Sequence, residues 1–253
     1  MNILVTNDDG IDAVGIKTLV DSLKAFGNIY VVAPDSEKSA VGHGITMHQP
    51  LRVKSIEGFS EGVKAWSVSG TPSDCVKIGV EHLLEVRPDM LVSGINNGGN
   101  LGTDVLYSGT VSAAVEGALH RIPSMALSLA GSGQLKYDVA SHYVPRLFEE
   151  ILNHEELKSS LLNINIPSVE LEDVKGIKIT ELGVQRYKNS FVKREDPMGR
   201  DYYWMSGVPE QLENREESDV IAIANKHISV TPLQFDLTNY GLLEKNINLG
   251  FRK

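Results

Sequence analysis

Asn2-Ile3-Leu4-Val5-Thr6, followed by Asn7-Asp8-Asp9-Gly10, is an apolar run stopped by two acids and a glycine. That is the pattern of a buried strand ending in a loop. Apolar residues then recur at helical spacing through Ile11, Val14, Leu19, Leu23 and Phe26. Gly27 closes that helix, and Ile29 to Ala33 reads as a second strand. A strand, a helix and a strand at this spacing form a βαβ unit, whose two strands lie parallel.

The alternation continues. Leu51 to Val68 breaks into short pieces around Gly58 and Gly62 that suit hairpin strands. Ser73 to Leu84 is predicted helical and Asp89 to Ser93 a strand, followed by a glycine-rich loop from Gly94 to Gly102. Val111 to His120 is a helix, Met125 to Leu129 a strand, Tyr137 to Asn153 a helix carrying Pro145, and Leu161 to Ile166 a strand. This order predicts an α/β fold, a Rossmann-like doubly wound and mostly parallel sheet, over residues 1–183. Residues 184–253 form the second division. Up to Ser218 they are polar and spiked with Tyr187, Phe191, Tyr202, Tyr203 and Trp204, which suits a protruding β-hairpin arm. A short capped helix from Ser218-Asp219, a strand at Ile228 to Thr231 and a terminal helix at Tyr240 to Lys245 complete the expected elements.

Bulk properties restrict function. The chain has 253 residues, 42% hydrophobic and 23% charged, in the ordinary globular range. A net charge of −9 without a basic cluster argues against nucleic-acid binding. It also means that a bound phosphate needs a local positive source, such as a metal ion or a helix N-terminus. Cys75 is the only cysteine, so no internal disulfide or cysteine-rich zinc site is expected, and a reducing, cytoplasmic setting follows. No signal segment and no membrane span is expected.

In open parallel sheets, ligands bind beyond the carboxyl ends of the strands. The loops leaving those ends carry Asp8 and Asp9, then Ser36 and Ser39 within Asp35-Ser36-Glu37-Lys38-Ser39, then Asn96. Two carboxylates, a hydroxyl and an amide oxygen are hard donors that suit Mg2+, Mn2+ or Ca2+ better than zinc or copper. Taken alone, Asp-Asp-Gly equally suits an Asx turn. Ser108-Gly109-Thr110 precedes a helix of small residues, where hydroxyls and free N–H groups suit an anion, or else simply cap the helix. His43 is a candidate for proton transfer or phosphate contact, although a loop histidine is more often just solvated. The Gly94 loop does not match the dinucleotide-binding glycine pattern, which argues against NAD. Adjacent aspartates do not match the alternate-residue spacing of phospho-aspartate hydrolases.

Three motifs together carry a resemblance: Asn7-Asp8-Asp9-Gly10, Ser-Gly-Ile-Asn-Asn-Gly-Gly-Asn-Leu-Gly from Ser93, and Tyr-Ser-Gly-Thr-Val-Ser-Ala-Ala from Tyr107. With Gly70 to Val76, Asn163 to Pro167 and Ile228 to Leu233, the chain resembles the SurE family of nucleotidases over nearly its whole length. The resemblance implies one divalent metal ion per subunit, Mg2+ or Mn2+ with Ca2+ as a non-optimal ion, held by Asp8, Asp9, Ser39 and Asn96. Asp8 and Asp9 would be catalytic, and Asn96, Ser108, Gly109 and Thr110 would meet phosphate. It further implies hydrolysis of nucleoside 5'-monophosphates, and also of 3'-monophosphates and short polyphosphate, in a homodimer or homotetramer built by exchanged C-terminal segments. Ala40 departs from the glycine common in similar proteins after the loop serine. The rival readings are a nucleotide-binding module without hydrolysis and a dinucleotide-dependent oxidoreductase.

Overall fold

A computed structural model of the chain describes residues 1–131, 133–188, 191–210 and 212–245. In chain order the first half contains β1 (Asn2–Thr6), α1 (Val14–Leu23), β2 (Asn28–Pro34), β3 (Val53–Ile56), β4 (Lys64–Val68), α2 (Pro72–Ile78), β5 (Met90–Asn97) and α3 (Gly109–Leu119). Then follow β6 (Ser124–Ala130), α4 (Tyr137–Asn153), α5 (Glu155–Lys158), β7 (Leu161–Pro167) and β8 (Ile177–Ile179). A string of short strands comes next: β9 (Tyr187–Lys188), β10 (Phe191–Glu195), β11 (Asp201–Met205) and β12 (Val208–Pro209). Finally α6 (Asp219–Ala224), β13 (Ile228–Leu233) and α7 (Tyr240–Leu243) close the described chain.

The main sheet has nine strands in the order β3-β4-β2-β1-β5-β6-β7-β13-β8. β2, β1, β5, β6 and β7 run parallel in one block, with β4 parallel to β2; β3 and β13 enter antiparallel to β4 and β7. Strands buried on both faces explain the near-continuous apolar runs. Ile3 and Val5 of β1 face one core, where Ile16, Leu19, Val20 and Leu23 of α1 meet Val144, Leu147 and Phe148 of α4. Leu4 faces the other, where Cys75 and Val76 of α2 meet Val111, Ala113 and Ala114 of α3. The fold is therefore an α/β layer covered on both faces, as expected from the alternation.

Chain order runs outward from β1 to β2 on one side and resumes at β5 on the other, so the direction of winding reverses between β1 and β5. That reversal opens a crevice at the carboxyl ends of these two strands, the place where such sheets take ligands.

Two boundaries differ from the sequence reading. β5 continues past Ser93 to Asn97, because a bulge lets three steps along β5, from Ser93 to Asn96, oppose two along β6, from Ala126 to Ser128. An extra residue in a strand re-aims the side chains beyond it, here those of Asn96 and Asn97. The helix predicted from Ser73 to Leu84 is α-helical only to Ile78, and a wider turn spans Gly79–Leu83. Its start is set by Thr71 and Asp74, which cap each other's backbone N–H groups in a reciprocal box. α4 runs from Tyr137 to Asn153 through Pro145.

The arm expected after Gly183 is a ladder of two exposed pairs, β10 with β11 and β12 with β9. Phe191, Tyr203, Trp204 and Met205 are exposed on it. After the arm the chain returns to the sheet, and β13 inserts between β7 and β8. Residues 246–253 of the C-terminal segment lie outside the described residues. Among the described residues no helix is long and apolar enough to cross a membrane.

α1 reaches the crevice through Gly15, where a Cβ would stand 2.0 Å from the carbonyl oxygen of Ile95. Alanine would gain about 1 kcal/mol of helix propensity there, but overpacking against backbone costs about 1–3 kcal/mol or more. Gly15→Ala is expected to lower the urea midpoint, whereas an unchanged or higher midpoint would contradict this packing.

Candidate active site

Asp8 leaves the end of β1 almost fully buried, at 4% exposure. Its carboxylate is held from α3: the Thr110 hydroxyl donates to Oδ1 at 2.5 Å and the Thr110 N–H to Oδ2 at 3.2 Å. The helix comes this close because residue 109 has no side chain; a Cβ there would lie 2.8 Å from the Cβ of Asp8. The positive end of α3 thus points at a carboxylate. Asp9, more open, accepts the Asn97 N–H on Oδ2 at 3.1 Å.

Burial pushes Asp8 up to about 6 despite the Thr110 hydroxyl, and the charge of Asp9 adds to the rise. Burial also raises Asp9, against the Asn97 N–H, with Glu37 adding to the rise. Neither carboxylate has a basic side chain within 4.0 Å among the described residues. Two adjacent desolvated acids without a cation are unfavourable when both are ionised, and a divalent ion would relieve that.

The remaining proposed donors lie on the loop after β2 and at the end of β5. The Lys38 N–H donates to the Asp8 carbonyl at 2.7 Å, which brings the loop carrying Ser39 against the aspartate turn. Ser39 donates its hydroxyl to Glu37 at 2.7 Å, leaving oxygen lone pairs free. Asn96 donates its amide nitrogen to the Gly98 carbonyl at 2.7 Å, and its amide oxygen has no donor among the described residues. Carboxylate, hydroxyl and amide oxygens of this kind fit a hard divalent cation. Among the described residues no group of three or more His, Cys, Asp or Glu gathers as a metal cluster. A site with only two carboxylates suits Mg2+ or Mn2+ with phosphate completing the shell. Ala40, the residue that departs from the family pattern, has φ 55°, the left-handed conformation that glycine favours. The loop keeps its shape with alanine at a cost of about 1–2 kcal/mol.

The Ser108-Gly109-Thr110 turn is divided in its duties. Ser108 accepts the Val111 N–H at 3.0 Å as a helix cap. Thr110 is fully buried and spends both donors on Asp8. The Gly109 N–H has no acceptor among the described residues. His43 is tied elsewhere: its Nε2 lies 2.8 Å from Glu116 on α3. That contact, chiefly, holds the Glu116 carboxyl below its usual range. His43 therefore fastens the Ser39 loop to α3 rather than reaching the aspartates.

Sequence reading passed over Tyr137 at the start of α4. Its phenol is pushed up by burial and then by the charge of Asp9. It reads from sequence only as an aromatic at a helix start. Glu116 was missed as well, and a single carboxylate within the small-residue run of α3 was the available signal.

Together these features define an α/β protein of Rossmann-like topology with an acidic crevice at its switch point. Residues 3–189 match the family model described as Survival protein SurE. A 5'-nucleotidase SurE of Alkaliphilus metalliredigens is 51% identical over 254 residues, covering 100% of both chains. One from Carboxydothermus hydrogenoformans is 52% identical, covering 97% of this chain and 94% of that protein. The crystal structure of the SurE protein from Aquifex aeolicus superposes with a TM-score of 0.84 at 39% identity, covering 97% of this chain and 98% of that one. The chain belongs to the SurE family.

Because the folded-state values of Asp8 and Asp9 lie above the ordinary carboxylate value, both groups hold protons more tightly folded than unfolded. The stability that these two groups contribute to the metal-free protein is therefore present at low pH and lost as pH rises, for Asp8 between about 4 and 6. Asp9→Asn keeps an oxygen for the Asn97 N–H and removes one charge. At pH 7 it is expected to melt higher than wild type in EDTA and to lose the stabilisation by added Mn2+. A lower midpoint in EDTA would contradict the electrostatic account.

Proposed function

We propose that this chain is a metal-dependent phosphomonoesterase, a 5'-nucleotidase that hydrolyses nucleoside 5'-monophosphates to nucleoside and inorganic phosphate. The observation that carries the reading is the pair of desolvated, cation-free carboxylates, Asp8 and Asp9, facing the N-terminus of α3 at the switch point. The names of the full-length relatives support the substrate. Activity on 3'-monophosphates and short polyphosphate belongs to the same proposal.

Asp8, Asp9, Ser39 and Asn96 would hold one Mg2+ or Mn2+, with Ca2+ as a non-optimal substitute. Such an ion, when bound, supplies charge neutralisation for the phosphate and a more acidic water. Thr110 keeps the Asp8 carboxylate from rotating, so that its oxygens stay aimed into the crevice. The Gly109 N–H and the Ser108 hydroxyl meet phosphate oxygens against the positive end of the helix, beside the Asn96 amide. Asp9 is the better placed proton acceptor, since one of its oxygens has no donor among the described residues, whereas both oxygens of Asp8 accept from Thr110. It takes the proton of the attacking water as the new oxygen–phosphorus bond forms, and the departing 5'-oxygen is protonated from solvent.

The exposed aromatic arm supports a homodimer or homotetramer with exchange of segments after residue 183, because a single subunit leaves Phe191, Tyr203 and Trp204 in water. The lone buried Cys75, whose thiol is pushed well up by burial, is compatible with a cytoplasmic location.

EDTA-treated protein is expected to release no phosphate from AMP or GMP and to regain activity with Mg2+ or Mn2+. Asp8→Asn is expected to reduce the restored rate at least about 100-fold at unchanged circular dichroism. Intact AMP after long incubation of folded wild type with metal would favour the binding module instead. Replacing Phe191–Met205 by a short Gly-Ser turn is expected to lower the solution mass by light scattering, and an unaltered mass would remove the arm from assembly.

A further inference from the structure

Asp219 is a carboxylate that the proposed chemistry does not use, and it is 0% exposed. Its Oδ2 accepts the Gly102 N–H at 2.8 Å, and its Oδ1 accepts the N–H groups of Gly183 and Val220, each at 2.8 Å. Two segments distant in sequence thereby meet on one side chain: the turn that leads into α3, and the root of the arm. They touch directly as well. A Cβ on Gly102 would lie 2.7 Å from the Gly183 carbonyl oxygen, and the φ of Gly102 is +52°. Beyond Gly102 the same two segments stay joined. The Thr103 hydroxyl donates to the Gln185 carbonyl at 2.6 Å and accepts the Gln185 N–H at 3.2 Å. The Tyr187 hydroxyl donates to Asp104 at 2.7 Å.

The turn fastened in this way spans Gly102–Leu106, with Tyr107 alone between it and Ser108, the cap of α3. Its placement sets where the Gly109 N–H points. We infer that Asp219 is a positioning residue for the phosphate-binding end of α3, acting through Gly102, and that it couples this end to the root of the arm. The inference rests on the nucleotidase reading for the identity of the anion.

The chemistry explains why an acid stands there. Only a carboxylate accepts on both oxygens, and three N–H donors converge on it. Asparagine has the same shape but one acceptor. Its oxygen retains the Gly183 and Val220 bonds, and its NH2 then opposes the Gly102 N–H, so Asp219→Asn releases the turn while keeping the arm root. The metal donors lie on other elements, at the ends of β1 and β5 and on the loop after β2, and are untouched.

The test is a calorimetric titration of inorganic phosphate into the Mn2+-loaded, full-length protein, with Mn2+ affinity measured separately by the electron paramagnetic resonance of the free ion. For Asp219→Asn, phosphate affinity is expected to fall about tenfold, while Mn2+ affinity stays within about twofold of wild type. Thr103→Val is a milder variant that breaks only the Gln185 pair; it is expected to weaken phosphate in the same direction, and it keeps the test alive should Asp219→Asn fail to fold. Unchanged phosphate affinity in the folded variants overturns the inference. So does a parallel loss of metal and phosphate affinity, which would mark general loosening rather than positioning. If wild type binds phosphate but releases none from AMP, the nucleotidase reading fails while this titration still decides the role of Asp219.

Discussion

The carboxyl edge of the sheet is organised around the bond between Asp8 and Thr110, residues 102 positions apart in sequence. Burying a carboxylate beside a second one is costly, and the fold offsets part of that cost with a hydroxyl, a backbone N–H and the positive end of a helix. The offset is incomplete, as the raised value of Asp8 attests. That residual unfavourable energy is what would give a divalent ion its affinity. A crevice satisfied internally, for instance by a lysine salt bridge, would have less to gain from a metal.

Placing α3 against β1 imposes conditions on its surroundings. Position 109 has to lack a side chain, and the helix has to stay narrow, which Ser112, Ala113 and Ala114 achieve in its first turns. The loop after β2 is then fastened to the same helix through His43 and Glu116, and to α2 through Thr46, which donates its N–H and hydroxyl to Asp74 at 3.0 and 2.6 Å. Helix α3 is thus a common reference for Asp8, for the Ser39 loop and for the N–H of Gly109. Geometry shared by one rigid element is easier to hold within the tolerance that phosphoryl transfer needs than geometry spread over independent loops.

Much of this was legible in the chain. The strands of the parallel block are runs of Ile, Leu and Val flanked by Asn, Asp, Gly or Pro, and the ligand rule for such sheets leads to Asp8, Asp9, Ser36, Ser39 and Asn96 on the loops beyond strand ends, a set that the family resemblance narrows to Asp8, Asp9, Ser39 and Asn96. The end of β5 was misread because glycine and asparagine usually mark a loop, whereas here they form a bulged continuation paired with β6. The wider turn after Ile78 continues an apolar periodicity without a break, so no local signal separates it from the helix. β8 escaped notice because Ile177–Ile179 is short and largely exposed. The bonds from Thr110 to Asp8 and from Gly102 to Asp219 join residues far apart along the chain, and single-sequence patterns carry no information about such pairs. Thr110 and Asp219 each read correctly as helix-start residues while their second partners stayed invisible.

The return of the chain to the sheet after the arm gives the arm its leverage. Were the arm a simple C-terminal extension, its position would be free of the core. Instead β13 is paired on both sides, with β7 and β8, and α6 immediately before it supplies Asp219. The excursion from Gly183 to Ser218 therefore starts and finishes at fixed points, and its first point bonds to the side chain that also holds Gly102. A displacement of the arm root has no soft joint in which to be absorbed before it reaches the turn ahead of Ser108. In a close-packed interior, a rigid path of hydrogen-bonded backbone transmits such a shift instead of dissipating it, which is how the proposed assembly through the arm would bear on the proposed anion site at α3.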